Sequence, residues 1–222
     1  MLTYPTILLD LDGTMVDSAP GVVSTLAKTL EQMGEPVPEM EELLRWVGPP
    51  LPESFQKRAG FGPQKAREAI DIFRSQYVDS GVFDSRVFDG MGEFLLHAKN
   101  AGAHLAVATS KPTTSATIML RHFLLSRYFD VIACAADDET RGAKHEVIED
   151  ALQGLRDKGL PTDNVIMVGD RIHDVEGAKF HGIDTVLVRW GYGGPAEWEL
   201  AHRLVDTPRQ LHAALGVPGG HR

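Results

Sequence analysis

Short, unbroken apolar runs alternate with longer stretches in which apolar residues recur at helical spacing, and the alternation is regular from Gly90 onward. There "MGEFLLHAKNAG" predicts a helix stopped by glycine, "HLAVAT" a buried strand, "TTSATIMLRHFLL" a helix and "FDVIACA" a strand. "KHEVIEDALQGL" follows as an amphipathic helix, "NVIMVGD" as a strand, "VEGAKFHG" as a short helix and "DTVLVRW" as a strand. Strands that lack polar alternation are covered on both faces, and strands separated by helices pair in parallel. The pattern therefore predicts an α/β fold with a parallel sheet and helices on both of its faces. "TILLDL" at residues 6–11 predicts a further strand of the same sheet.

Residues 16–85 break this rhythm. "GVVSTLAKTLEQMG", "EMEELLRWVG", "PESFQKRAG" and "PQKAREAIDIFRSQYVDSG" read as helices, ended by Gly or started near Pro, with no strand of comparable quality among them. The expected division is a sheet-based core of residues 1–15 and 86–222 and an all-helical insertion of residues 16–85. Short connectors near residues 15–19 and 83–88 would let the insertion open and close. The tail "GVPGGHR" is expected to fray.

Composition narrows the partners. The chain has 222 residues, 43% of them hydrophobic, enough for a sizeable core. No run approaches the roughly 18 consecutive apolar residues of a membrane span, and "MLTYPTILLDLDG" lacks the basic start of a signal peptide. The single cysteine, Cys134, sits in "VIACA" and is expected to be a buried strand residue; it suits a reducing, cytoplasmic setting. Asp and Glu number 31 against 22 Lys and Arg, for a formal net charge of −9. Nucleic acid and anionic membrane are therefore not expected as partners, because both need a basic face. An anionic substrate would need a local cation.

Ligands of open α/β sheets bind outside the carboxyl ends of the strands. The first strand ends in Asp10, with Asp12, Gly13 and Thr14 after it; "LAVAT" ends in Thr109, followed by Ser110 and Lys111. "VIMVG" ends in Asp170, with Asp174 beyond it, and Lys144 stands before the helix that follows "VIACA". Converging carboxylates repel unless a cation shares their charge, and an oxygen-only set suits a hard ion, Mg²⁺ above others. Mg²⁺ together with Lys144 would let a net-acidic protein hold a phosphate, with Thr109 and the N–H groups after it on the phosphate oxygens. One carboxylate could then attack phosphorus, and its neighbour two residues on could supply and remove the proton. Gly13 would let the chain bend so that Asp10 and Asp12 face one reacting centre. The nine histidines show no trusted ligand spacing, His173 between the site acids included.

"DLDGT" at 10–14, "VATSK" at 107–111, Lys144 and "VGDRIHD" at 168–174 resemble, in order, the four motifs of the haloacid dehalogenase-like (HAD) phosphohydrolases. "WVGPPLPESF" at 46–55 and "GYGG" at 191–194 resemble the phosphoglycolate phosphatase-like branch. The resemblance implies a Rossmann-like core with a C1-type helical cap. It implies that Asp10 is the nucleophile and Asp12 the general acid and base, and that Thr109 and Lys144 bind and neutralise phosphate. Asp10, the backbone carbonyl of Asp12, and Asp170 would hold Mg²⁺, with Asp174 acting through a metal-bound water. The lead-in "TRGAK" departs from the usual Gly-Lys-Pro run at Lys144, which leaves Lys111 as a stand-in. Ser110 and, from the cap, Arg45, Trp46 and the "GPP" turn are candidates for touching substrate.

The implied activity is a Mg²⁺-dependent phosphomonoesterase acting on a small phosphorylated metabolite. Phosphoglycolate is the leading substrate; nucleoside 5′-monophosphates and pyrophosphate are the alternatives, and a phosphomutase is a weaker one. A dehalogenase would not need Asp12, and a signalling receiver domain would place its acid pair adjacently and lack the insertion. Oligomeric state is not legible in the chain.

Overall fold

The computed structural model describes residues 2–48, 51–138 and 140–219. The chain divides into two compact units, Met1–Asp17 with Val87–Arg222, and Ser18–Arg86.

The first unit is built on six parallel strands in the order β5-β4-β1-β6-β7-β8: β1 (Thr6–Leu9), β4 (His104–Pro112), β5 (Val131–Ala135), β6 (Val165–Gly169), β7 (Asp184–Val188) and β8 (Arg203–Val205). Two further strands, β2 (Val16–Asp17) and β3 (Arg86–Val87), form a separate short ladder. Every residue of β1 is fully buried, because β4 and β6 flank it and helices cover the sheet. In α7 (Lys144–Asp157), Val147, Ile148, Ala151, Leu152 and Leu155 share one face; they pack on Leu8, Ala106, Ala108, Ala133 and Met167 of the sheet and on Ala178 of α8 (Ile172–Phe180). Helices α5 (Met91–Asn100), α6 (Thr113–His122), α9 (Pro195–Trp198) and α10 (Pro208–Leu215) complete the unit. The expected sheet and helices are present.

Three details differ from the sequence reading. The helix expected through Leu125 ends at His122, because Leu124 adopts a left-handed conformation (φ 56°) that closes it without a glycine. The strand β8 and helix α10 were not expected. Thr207 caps α10 by accepting from the Gln210 N–H at 3.2 Å, and Pro208 fills its first turn. The tail is ordered as far as Val217, which is 4% exposed and donates its N–H to His212 O at 2.9 Å; residues 220–222 lie outside the described residues.

The second unit is helical: α1 (Ala19–Gln32), α2 (Met40–Leu44), α3 (Leu51–Lys57) and α4 (Pro63–Asp79). Val23, Leu26 and Leu30 recur on the buried face of α1, and Trp46 meets Phe55 edge-on with ring centroids 5.6 Å apart. Trp46 is thus a packing residue of this unit. Pro49 and Pro50 of the "GPP" turn lie outside the described residues.

Candidate active site

The sheet order places β1 in the middle, with the chain building outward through β4 and β5 and then crossing back to β6, β7 and β8. The reversal falls between β1 and β6, where open α/β sheets leave a crevice at the strand ends. Asp10 follows β1 and Asp170 follows β6 at that point. Asp174, in the first turn of α8, joins them: single carboxylate oxygens of Asp10, Asp170 and Asp174 all lie within 4.8 Å of one another.

Each acid is fixed by different means. Asp174 Oδ2 accepts the Asp170 and Arg171 N–H groups, both at 3.0 Å, so it orients itself on the turn that starts its own helix. Asp170 Oδ2 accepts the Tyr192 N–H at 2.6 Å, while Asp170 Oδ1 is buried with no hydrogen-bond partner among the described residues. An unmade bond to a buried carboxylate oxygen is costly and marks a place for a cation or donor. Asp10 is buried at the centre of the set.

Lys144 opens α7 and reaches this set. Its Nζ lies 2.8 Å from Asp10 Oδ1 and 2.9 Å from Asp174 Oδ1, and donates to Ala108 O at 3.1 Å. The "TRGAK" lead-in does not displace it: Glu146 accepts the Gly142 and Ala143 N–H groups at 2.9 and 3.0 Å and anchors the turn before the helix. Gly177 permits the lysine's path, since a Cβ there would stand 2.6 Å from Lys144 Cγ.

Burial pushes the Asp10 carboxyl up to about 6; Lys144 pulls it down, and Asp174 and Asp12 raise it again. Asp170 is raised well above the ordinary carboxylate range by burial, then by Asp174 and Asp10. Lys144 is disfavoured by its burial but held charged by Asp10 and Asp174, with a net upward shift. Fully ionised, three carboxylates against one ammonium carry two uncompensated negative charges, the charge that one divalent cation balances. With oxygen donors only, the set fits Mg²⁺ by charge and by hardness.

Of the remaining expected residues, Thr109 is buried in β4, which continues past it to Pro112, and its Oγ1 accepts the Lys111 N–H at 3.2 Å. Ser110 follows it, half-buried, where the register of β4 against β5 shifts. Asp12 turns its side chain to Lys111, not to the three acids: Lys111 Nζ donates to both Asp12 oxygens at 3.1 Å. Lys111 therefore does not stand in for Lys144. Arg45, in the helical unit, is exposed and pairs with Glu41 and Glu42 on its own helix. His173 is exposed. Cys134 is partly buried, and burial pushes its thiol up to about 11, away from thiolate reactivity.

The loop at 190–193 supports the acids, a role beyond the branch resemblance that "GYGG" carries in the sequence. Trp190 Nε1 donates to Thr14 O at 3.0 Å, and the Tyr192 hydroxyl donates to Asp17 Oδ1 at 3.1 Å. Gly13 has φ +76°, and a Cβ there would stand 2.2 Å from Asp170 Oδ2. A Cβ on Gly191 would stand 2.3 Å from Gly13 O and 2.4 Å from Asp170 Cβ. Glycines from two distant segments thus let the backbone close around Asp170. The expected bend at Gly13 is present, but what excludes a side chain there is Asp170. The signal in the sequence was the Gly-Tyr-Gly-Gly run after a strand.

A profile of the family described as "Haloacid dehalogenase-like hydrolase" matches residues 7–188. The chain belongs to that family. This hydrolase is 46% identical to the protein named "Tyrosine-protein kinase PtkA" of Mycobacterium tuberculosis, over 95% of this chain and 72% of the relative. It is 37% identical to the protein named "5'-nucleotidase" of Pseudomonas aeruginosa, over 99% of this chain and 98% of the relative. Its fold superposes on the crystal structure of a "predicted phosphatase" from Clostridium acetobutylicum with a TM-score of 0.88 and 35% identity, covering 95% of this chain and 97% of that one. It is a phosphatase of the HAD-like type.

Proposed function

We propose that this hydrolase is a Mg²⁺-dependent phosphomonoesterase that works through an aspartyl phosphate. The observation that carries the reading is the convergence of Asp10, Asp170 and Asp174, of which Lys144 pairs with only Asp10 and Asp174. Asp10, Asp170, Asp174 and the backbone carbonyl of Asp12 are the residues assigned to the ion. When bound, Mg²⁺ would supply the positive charge that lets a phosphate dianion approach acids.

In the proposed reaction an Asp10 oxygen attacks phosphorus while the ester oxygen leaves, taking a proton from Asp12. Water then attacks the acyl phosphate, gives its proton to Asp12, and releases inorganic phosphate and free Asp10. Lys144 neutralises phosphate charge, and the Thr109 hydroxyl and the Ser110 N–H are assigned to the phosphate oxygens. The helical unit Ser18–Arg86 is assigned the role of cap, with Arg45 its proposed contact for the rest of the substrate.

The proposed substrate is a small phosphorylated metabolite. Phosphoglycolate is favoured by the "WVGPPLPESF" and "GYGG" segments, and a nucleoside 5′-monophosphate by the Pseudomonas relative. A second reading has the phosphoryl group pass from a nucleoside triphosphate through Asp10 to a tyrosine hydroxyl instead of water; identity to the protein named a tyrosine kinase favours it. The purified protein should hydrolyse p-nitrophenyl phosphate with Mg²⁺ and stop in EDTA, and full turnover in EDTA would remove the metal role. A metabolite panel ranked by kcat/KM then selects the substrate. ATP-dependent labelling of a tyrosine peptide, at rates above hydrolysis, would select the second reading.

A further inference from the structure

One buried cation of the catalytic unit is not used by the reaction just proposed. Lys111 has a side chain 5% exposed, and its Nζ stands 3.1 Å from each Asp12 oxygen. One ammonium in contact with both oxygens restrains the position of the carboxyl and its rotation about the bond to Cβ. Removing Asp12 would leave the Lys111 ammonium buried and uncompensated. The same segment supplies the anchor, since the Lys111 N–H donates to Thr109 Oγ1 at 3.2 Å within the irregular last stretch of β4. Lys144 already occupies the lysine position beside Asp10 and Asp174, and Lys111 does not share it.

We propose that Lys111 is a positioning residue: its ion pair holds the Asp12 carboxyl in the orientation from which the proton reaches the leaving oxygen. The inference rests on the reading of Asp12 as the proton donor. A proton donor a fraction of an ångström or a few tens of degrees out of line loses much of its effect, because proton transfer requires hydrogen-bond geometry to the departing atom. Lys111 acts through Asp12 and touches no reacting atom in this scheme.

The test uses phenyl phosphate and p-nitrophenyl phosphate, alike in shape and unlike in leaving group. p-Nitrophenolate departs without a proton, whereas phenolate is far more basic and depends on the donor. kcat/KM reports the steps through the departure of that group. Lys111→Met should lower kcat/KM for phenyl phosphate roughly tenfold or more relative to p-nitrophenyl phosphate, a part of the roughly 10²–10⁴-fold effect of acid–base catalysis. Asp12→Asn should show the same selective loss, and adding Lys111→Met to it should cost less than about twofold further in the phenyl to p-nitrophenyl ratio, since contacting residues that act as a unit are non-additive. The double variant carries neither charge, so it keeps the comparison if the single variant fails to fold. Equal losses on both substrates, an unchanged ratio in Lys111→Met, or an undiminished selective loss in the Asp12→Asn background would overturn the inference and leave Asp12 in its role. An unchanged ratio in Asp12→Asn would instead remove Asp12 as the proton donor.

Discussion

Replacing Asp10 by Asn should make the metal-free protein more stable while abolishing turnover. Burial, opposed by Lys144, raises the Asp10 carboxyl from 3.8 to about 6. The folded chain therefore holds a proton that the unfolded chain gives up, and stability falls as pH rises through that window. The difference of about 2 pH units corresponds to about 3 kcal/mol at pH 7.5, where the carboxylate is ionised in both states. Asn mimics the protonated carboxyl: its oxygen can face Lys144 and its amide the neighbouring acids. The gain should shrink below about 1 kcal/mol at pH 4, where the wild-type group is already protonated in the fold.

For a chain of this size, about 3 kcal/mol is roughly 6–12 °C in Tm. Thermal and urea unfolding of both proteins in EDTA, at pH 7.5 and at pH 4, measures it. Turnover of p-nitrophenyl phosphate in the same variant should vanish, because an amide cannot form the acyl phosphate. A structural aspartate would give the opposite result, a loss of stability on substitution. The reasoning is refuted if Asp10→Asn melts below wild type at pH 7.5 in EDTA, or if its gain does not change with pH.

Mg²⁺ should raise Tm more at pH 7.5 than at pH 5, because protons compete for Asp10 and Asp170 as pH falls; calorimetric scans at both values check the sign. Gly13→Ala should destabilise the fold by about 1–2 kcal/mol for its φ alone, with a further loss from the 2.2 Å approach to Asp170 Oδ2, and should weaken the Mg²⁺-induced Tm shift. Glu146→Ala frees the Gly142 and Ala143 N–H groups at the start of α7 and should lower the urea midpoint while lowering kcat through Lys144. Inorganic phosphate should raise Tm only when Mg²⁺ is present; equal protection in EDTA would show that Lys144 suffices as counter-charge.

The acids were readable because chain order and strand ends are one-dimensional facts. Asp10, Asp170 and Lys144 each stand where an apolar run stops or a helix pattern starts, and the parallel sheet brings those ends to one rim. The partners of Asp12 were not readable in the same way. Lys111 lies near the end of β4 and Lys144 stands after β5, and which lysine meets which acid depends on the path of β4 past Thr109, where its register shifts. The support of Asp170 by Gly13, Gly191 and Tyr192 is likewise a contact between segments that no local period records. Helix ends failed for a different reason: Leu124 takes a left-handed conformation that the sequence reading reserves for glycine. Helix α10 carried its full signature of Thr207, Pro208 and Gly216, whereas the three residues of β8 are too few to show a period.

The distribution of charge explains how an acidic chain can be suited to an anion. Net charge of −9 repels a phosphate ester at long range. At short range the outcome depends on two separate pairings. Lys111 with Asp12 is locally neutral and so contributes orientation more than attraction. Lys144 is shared between Asp10 and Asp174 and cannot by itself reverse the sign of a cluster that includes Asp170. Two unit charges 4 Å apart interact by about 4 kcal/mol at an effective dielectric of 20, so a dianion facing two uncompensated carboxylates is excluded by several such terms. A divalent cation removes those terms together and leaves Lys144 in surplus once the phosphate draws it. On the proposed function, metal occupancy is therefore the condition for phosphate affinity. The same arrangement, three acids with one ammonium paired to two of them, would favour a doubly charged ion over a singly charged one, since only the former balances the set.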